Sequence, residues 1–329
     1  MKAIVIEKFG NPDVLVIKDV DKPEPKAGFA LIRVKAFGIN HAEMHMRKGE
    51  WAEWMPISGV ECVGIVEACP GGEFELGTAV VALMGGLGRT INGSYAEYTN
   101  ASVGNVVSLG SNEPPLPWDQ LAAIPESYAT AWSSLFRNLE IQKGQTLLIR
   151  GATSALGKAA VNLAVNHGVR VVGTTRNADR HQDLLTLGVE KVEQEGPDLS
   201  KRLNLRLEDK FDAVLDLIGN SVLLDSLTLV RRGGRLCLAG WLGGLAPISD
   251  FNPLLQMSGG VHFSLFRSPD FGQPAFPVSD VPIRDIVQLA TDGKLNAKPT
   301  KTFSFDQIRE AHRMVEEGRA NGKIVVMGY

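Results

Sequence analysis

The segment Leu147-Leu148-Ile149-Arg150-Gly151-Ala152-Thr153-Ser154-Ala155-Leu156-Gly157-Lys158-Ala159-Ala160 constrains the fold most, because an apolar strand runs through a turn of small residues straight into a helix. The first N–H groups of a helix lack partners inside it, and its dipole favours negative charge at that end, so such a junction receives a pyrophosphate. Gly151 permits a sharp exit from the strand, Ala155 keeps the backbone approachable, and Gly157 lets the helix lie close on the sheet. Ser154 and Ala155 stand where two glycines are common, so a tightly packed helix start would leave the same trace. The expected phosphate contacts are Gly151, Thr153, Ser154, Ala155, Leu156 and Gly157.

The next apolar run, 169–174, ends in Thr174-Thr175-Arg176-Asn177, with Arg180 just beyond. An NAD site needs a carboxylate there for the ribose 2′-OH, whereas a 2′-phosphate is repelled by an acid and matched by arginine. The position therefore reads as NADPH, with Thr174, Thr175, Arg176 and Arg180 as its contacts. Asp179 is the nearest acid, but it is better explained as a first-turn charge on a helix over 178–187. Solvated surface is the plain alternative for the two arginines.

The chain has 329 residues and is 44% hydrophobic, enough for two domains. A net charge of −3 gives no footprint for nucleic acid or an anionic membrane. No apolar run reaches the roughly 18 to 20 residues of a membrane span, and the first residues look like a strand rather than a signal peptide. Three cysteines, Cys62, Cys69 and Cys237, suit a reducing compartment and cannot form a four-cysteine zinc knot. A cytoplasmic location is expected.

Short strands broken by glycine and proline are expected at 3–6, 14–19, 30–37, 61–68, 79–83 and 95–99, the pattern of a partly closed barrel. Pro114-Pro115-Leu116-Pro117 marks a break. From Trp118 on, helices alternate with buried strands at 146–149, 169–174, 191–192, 213–217 and 235–239, which means a parallel sheet wrapped by helices. Gly240-Trp241-Leu242-Gly243-Gly244 leaves the fifth strand at the carboxyl edge, where ligands of such folds lie, so Gly240 joins the cofactor candidates. Helices at 283–291 and 306–317, the second capped by Asp306, and a strand at 323–327 are expected to return to the N-terminal β unit.

The runs Pro23-Glu24-Pro25-Lys26-Ala27-Gly28, Arg33-Val34-Lys35-Ala36-Phe37-Gly38-Ile39-Asn40, Gly93-Ser94-Tyr95-Ala96-Glu97-Tyr98 and Gly322-Lys323-Ile324-Val325-Val326 resemble, end to end, the medium-chain dehydrogenase/reductase superfamily and its zinc-independent quinone oxidoreductase branch. The resemblance implies a GroES-like β-barrel catalytic domain, 1–122 and 266–329, interrupted by a doubly wound Rossmann domain, 123–265, with the family's active cleft between them. It also implies a homodimer. Zinc-dependent relatives place a cysteine where Asn40 stands and a histidine where Val60 stands. Both ligands are missing, and a catalytic zinc needs three. His41 and His45, one helical turn apart, with Glu61, leave one residual metal possibility.

Within that resemblance Asn40 matches the asparagine beside nicotinamide and substrate, Thr130 matches a threonine at the nicotinamide end, and Lys323 joins the cofactor-binding set. A turn residue and a helix-start hydroxyl are the plain accounts of Asn40 and Thr130. His45 and Trp51 stand where relatives carry tyrosines. Trp51 has only an indole N–H and delivers no proton at neutral pH, which counts against an enoyl-thioester reductase. His45 can carry a proton near neutrality, although one structural hydrogen bond would account for it equally. The implied reaction is metal-free hydride transfer from NADPH to a quinone or conjugated enone, with Asn40 and His45 steadying the developing anion, and with Trp51, Trp54, Trp241 and Phe263 as a flat apolar pocket. An enone or enoyl reductase and a non-catalytic NADPH-binding sensor are the alternatives.

Overall fold

Glycine- and proline-bounded runs of branched apolar residues make the strands of the first part of the chain: β1 (Lys2–Ile6), β2 (Leu15–Asp19), β3 (Phe29–Ile39), β4 (Glu61–Ala68), β5 (Ala79–Leu83), β6 (Tyr98–Ser102) and β7 (Val106–Ser108), with helix α1 (His41–Lys48) after β3. Helices α2 (Trp118–Leu121) and α3 (Pro125–Trp132) follow. The central part alternates β8 (Thr146–Arg150), α4 (Ala155–Asn166), β9 (Arg170–Thr175), α5 (His181–Thr186), β10 (Lys191–Gln194), α6 (Leu199–Leu203), β11 (Phe211–Asp216), α7 (Leu223–Leu229), β12 (Val230–Leu238), α8 (Pro253–Gln256) and β13 (His262–Leu265). The tail holds α9 (Ile283–Thr291), β14 (Lys301–Phe303), α10 (Ile308–Glu316) and β15 (Ile324–Met327). This computed structural model describes residues 1–110 and 113–329 and divides into two units, 1–129 with 268–329, and 130–267.

In the first unit β3 is the organising strand. Its amino half pairs with β6, its carboxyl end with β15, and its middle, Leu31 to Ala36, with β4, all antiparallel. One strand shared among three neighbours, with register shifts against β4, curls the sheet as a GroES-like domain requires. Its core includes Ile4, Ile32, Phe37, Tyr95, Phe303 and Ile308, so the tail does return to the N-terminal strands.

The second unit is a parallel sheet in the order β10-β9-β8-β11-β12-β13, the doubly wound order whose direction reverses between β8 and β11. That reversal places the Gly151 turn and the end of β11 side by side at the carboxyl edge. No helix among the described residues is long and apolar enough to cross a membrane.

Three local expectations need correction. The strand expected at 95–99 lies at Tyr98–Ser102, because Tyr95 is buried and its hydroxyl meets His312 Nε2 at 3.0 Å. Asp306 does not cap the last helix; Ser304 and Gln307 form the capping box there, and Asp306 instead accepts from the Ser304 hydroxyl. The central sheet also gains β13, an edge strand of four residues.

Candidate active site

At the carboxyl edge of the central sheet, Gly151 leaves β8 at φ +82°, a conformation that disfavours any side chain. Ser154 then caps α4: its Oγ accepts from Gly157 N–H at 3.0 Å and donates to Gly151 O at 2.9 Å. A Cβ on Gly157 would overlap Gly151 O and stand 2.8 Å from Ala152 backbone carbons, so only glycine lets the helix start this close to the turn. The first-turn N–H groups of Ala155 and Leu156 have no carbonyl within the helix to pair with. The turn brings Gly151, Thr153, Ser154, Ala155, Leu156 and Gly157, the expected phosphate contacts, around one cradle whose shape and free N–H groups fit a pyrophosphate. Gly240 enters the same edge: a Cβ there would meet Leu217 O at 2.8 Å, which holds the exit of β12 against that of β11.

A buried ionic network underlies the turn. Arg150 is fully buried and donates to Glu195 at 2.5 Å, Asp225 at 2.7 Å, Ser226 at 3.0 Å and Gly196 O at 2.7 Å. Thr174 accepts the Gly151 N–H at 3.0 Å and donates to Glu195. The hydroxyl of Thr174, expected among the cofactor contacts, therefore braces the turn. Thr175 lies beside Thr153, their hydroxyls 3.4 Å apart.

Arg176 is exposed just past β9, and Arg180 sits at the start of the α5 segment. Lys158 on α4 was missed by sequence reasoning, although its place directly after Gly157 offered the signal. Burial holds its ammonium below the usual lysine value, with Asp183 raising it and Arg180 lowering it further. Thr130 is buried at the end of α3.

In the first unit, Asn40 precedes α1 and is tied into a buried cluster. Glu43, three residues on, reaches back to the Asn40 N–H at 2.9 Å and also accepts from Val60 N–H at 3.1 Å. The Asn40 Nδ2 donates to Glu61 Oε1 at 2.8 Å, and its Oδ1 accepts from Lys323 Nζ at 2.6 Å. Lys323 further donates to Glu61 Oε1 at 2.5 Å and Ser127 Oγ at 3.1 Å, while Glu61 Oε2 accepts from Glu126 N–H at 2.7 Å. Those three acceptors match the three hydrogens of the Lys323 ammonium. Lys323, expected in the cofactor-binding set, directs its ammonium hydrogens at the Asn40 cluster. Burial, then repulsion by Glu61, pushes the Glu43 carboxyl up to about 7, against the pull of Lys323 and the Val60 N–H.

His45, one turn along α1, bonds through Nδ1 to Glu50 at 2.5 Å and stacks on Trp51 with ring centroids 5.3 Å apart and planes 11° from parallel. His41 is exposed, so α1 does not bring the two histidines and Glu61 into one ligand set. Among the described residues no group of three or more histidines, cysteines or acids is arranged to hold a metal. The aromatics expected to form one pocket serve different neighbours: Trp54 meets Phe9 edge-on at 4.7 Å, Trp241 packs on the core of the second unit, and Phe263 lies on β13.

Residues 26–111 match the alcohol dehydrogenase GroES-like domain family, and residues 190–326 the zinc-binding dehydrogenase family. A quinone oxidoreductase from Sus scrofa is 32% identical over 270 residues, 79% of this chain and 78% of its own length. The crystal structure of an NAD-dependent alcohol dehydrogenase superposes with a TM-score of 0.84 at 26% identity, covering all of both chains. The Escherichia coli quinone oxidoreductase complexed with NADPH superposes with a TM-score of 0.84 at 21% identity, covering 99% of this chain and 100% of its own.

Proposed function

Because the chain belongs to the medium-chain dehydrogenase/reductase superfamily, in its zinc-independent quinone oxidoreductase branch, we propose that it is an NADPH-dependent enzyme that reduces a quinone or a similar electron-poor conjugated carbonyl without a catalytic metal. One observation carries the cofactor reading: a glycine-shaped phosphate turn at the β8–β11 reversal, followed after β9 by Arg176 and Arg180 in place of an acid. When bound, a reduced nicotinamide supplies a hydride. The backbone N–H groups of Ala155 and Leu156 hold the pyrophosphate, and Arg176, Arg180 and Lys158 neutralise the 2′-phosphate. Thr130 supports the nicotinamide end.

Hydride arrival leaves negative charge on an acceptor oxygen, which this chain meets with a hydrogen-bond donor rather than a cation. Asn40 is that donor, since its amide keeps a second N–H whose nearest acceptor is Glu43 at 3.5 Å. His45, oriented through Nδ1 by Glu50 and backed by Trp51, delivers the proton from Nε2.

Two broader features support the setting. Three free thiols, two of them buried, suit the reducing cytoplasm. The edge strand β13 exposes Phe263 at 41% and Leu265 at 50%, an apolar edge that a second copy would cover in a homodimer. The test is NADPH oxidation against a panel of quinones, enones, enoyl thioesters and aldehydes, with and without chelator. The reading expects chelator-insensitive quinone or enone reduction; activity confined to aldehydes and lost on chelation would overturn it.

A further inference from the structure

We propose that Lys323 and Glu61 are positioning residues that lock the Asn40 carboxamide in a single orientation and polarise it as a donor. An asparagine amide can be turned either way unless its neighbours choose. Here they do. An ammonium only donates, so the group 2.6 Å from Lys323 must be Oδ1; an ionised carboxylate only accepts, so the group 2.8 Å from Glu61 must be Nδ2. One amide hydrogen is thus committed to Glu61, and the other has only the long 3.5 Å contact to Glu43 Oε1 to exchange for a ligand. The lysine charge on Oδ1 draws electron density from the amide nitrogen, which strengthens that remaining donor.

The arrangement is built in rather than incidental. Glu61 is fully buried and Lys323 is 6% exposed, yet a buried ion pair is weak evidence for stability, because desolvation offsets its attraction. A role in orientation accounts for a pair kept at such cost. Groups from two further elements, β3 and α3, complete it. Gly38 on β3 lies where any Cβ would overlap Glu61 Oε1 and the Lys323 side chain, so the strand is pared down to let the pair pass. Ser127 takes the third lysine hydrogen and Glu126 N–H fills the second Glu61 oxygen.

The kinetic part of the test rests on the oxidoreductase reading above, so a second part does not. In the first, a double-mutant cycle compares Asn40→Ala, Lys323→Met and their combination in the full-length protein. Lys323→Met should lower kcat for a quinone about tenfold while NADPH affinity changes by no more than about twofold, and the combined variant should be no slower than Asn40→Ala alone. Lys323→Arg, which keeps the charge, should recover part of the rate. Additive losses would overturn the proposal. In the second, the protein is labelled with side-chain 15N-asparagine and hydrogen exchange of the Asn40 NH2 is followed by NMR without cofactor or substrate. The Glu61-bonded proton should exchange slowly and lose that protection in Lys323→Met; equal exchange in both proteins would overturn the proposal. If Lys323→Met does not fold, the charge-neutral pair Glu61→Gln with Lys323→Gln replaces it in both parts, with the same expected losses. A wild-type protein that reduces no acceptor defeats the proposed reaction, and the exchange measurement still decides the lock.

Discussion

Lys323 and Asn40 are 283 residues apart in the chain, and the lysine ammonium donates to the asparagine Oδ1 at 2.6 Å. The contact exists because β15 returns to pair with the end of β3, setting Val325 opposite Gly38 and Ile324 opposite Ile39. The residue before α1 is thereby held by the last strand of the chain.

The cofactor reading predicts an asymmetric loss. Arg176→Ala with Arg180→Ala removes two of the three cations assigned to a 2′-phosphate and nothing that NADH needs. NADPH affinity should fall at least about tenfold while NADH affinity changes little, since charge-assisted bonds to a phosphate contribute about 1.5–3 kcal/mol. Titration of the nicotinamide fluorescence checks this, and equal losses for both cofactors would remove the argument.

Glu43 predicts a pH effect on stability. Its carboxyl rises from 4.5 in the unfolded chain to about 7 in the fold, so the folded state binds the proton more tightly. The resulting stabilisation is complete below about pH 4.5 and is lost as pH rises through 7, an effect on the order of 3 kcal/mol. Denaturant melts between pH 5 and 8 should show Glu43→Gln with a flatter dependence than the wild type. Parallel curves would contradict the assignment.

His312 works in the opposite direction. Burial, then the Arg47 charge, lowers its imidazole from 6.5 to about 3, where the neutral ring faces the Tyr95 hydroxyl. The unfolded chain takes up the proton first as pH falls, so stability present above 6.5 is lost on acidification toward 3. His312→Gln should lower stability at pH 7 yet lose less of it between pH 6.5 and 4, as followed by urea melts. An unaltered acid slope would sink this reading.

Much of this was legible in advance, for identifiable reasons. The phosphate turn shows because Gly151, Ser154 and Gly157 each meet a local requirement, namely positive φ, a helix cap and a close approach. The Asn40 cluster was only half visible. Asn40 followed by Glu43 is a capping-box spacing and could have been read, but the partners Glu61, Ser127 and Lys323 converge only through strand pairing. Arg150 offered a signal too, a charge ending an apolar strand, though Glu195 and Asp225 meet it only in three dimensions.

That network gives a further prediction. Arg150→Met leaves the buried Glu195 and the partly buried Asp225 without their cationic partner, which should cost about 3–5 kcal/mol and loosen the Gly151 turn that Thr174 ties to Glu195. Thermal melts and NADPH affinity should fall together. A variant as stable as the wild type, with unchanged affinity, would show that the network braces nothing.

The most direct test of the account is a single turnover in which the protein, loaded with NADPH or with NADPH deuterated at the nicotinamide C4, is mixed with a quinone in the presence of chelator. The account predicts one NADPH oxidised per quinone reduced, more slowly with the deuterated cofactor. Tight NADPH binding with no isotope-sensitive oxidation by any quinone or enone would contradict it.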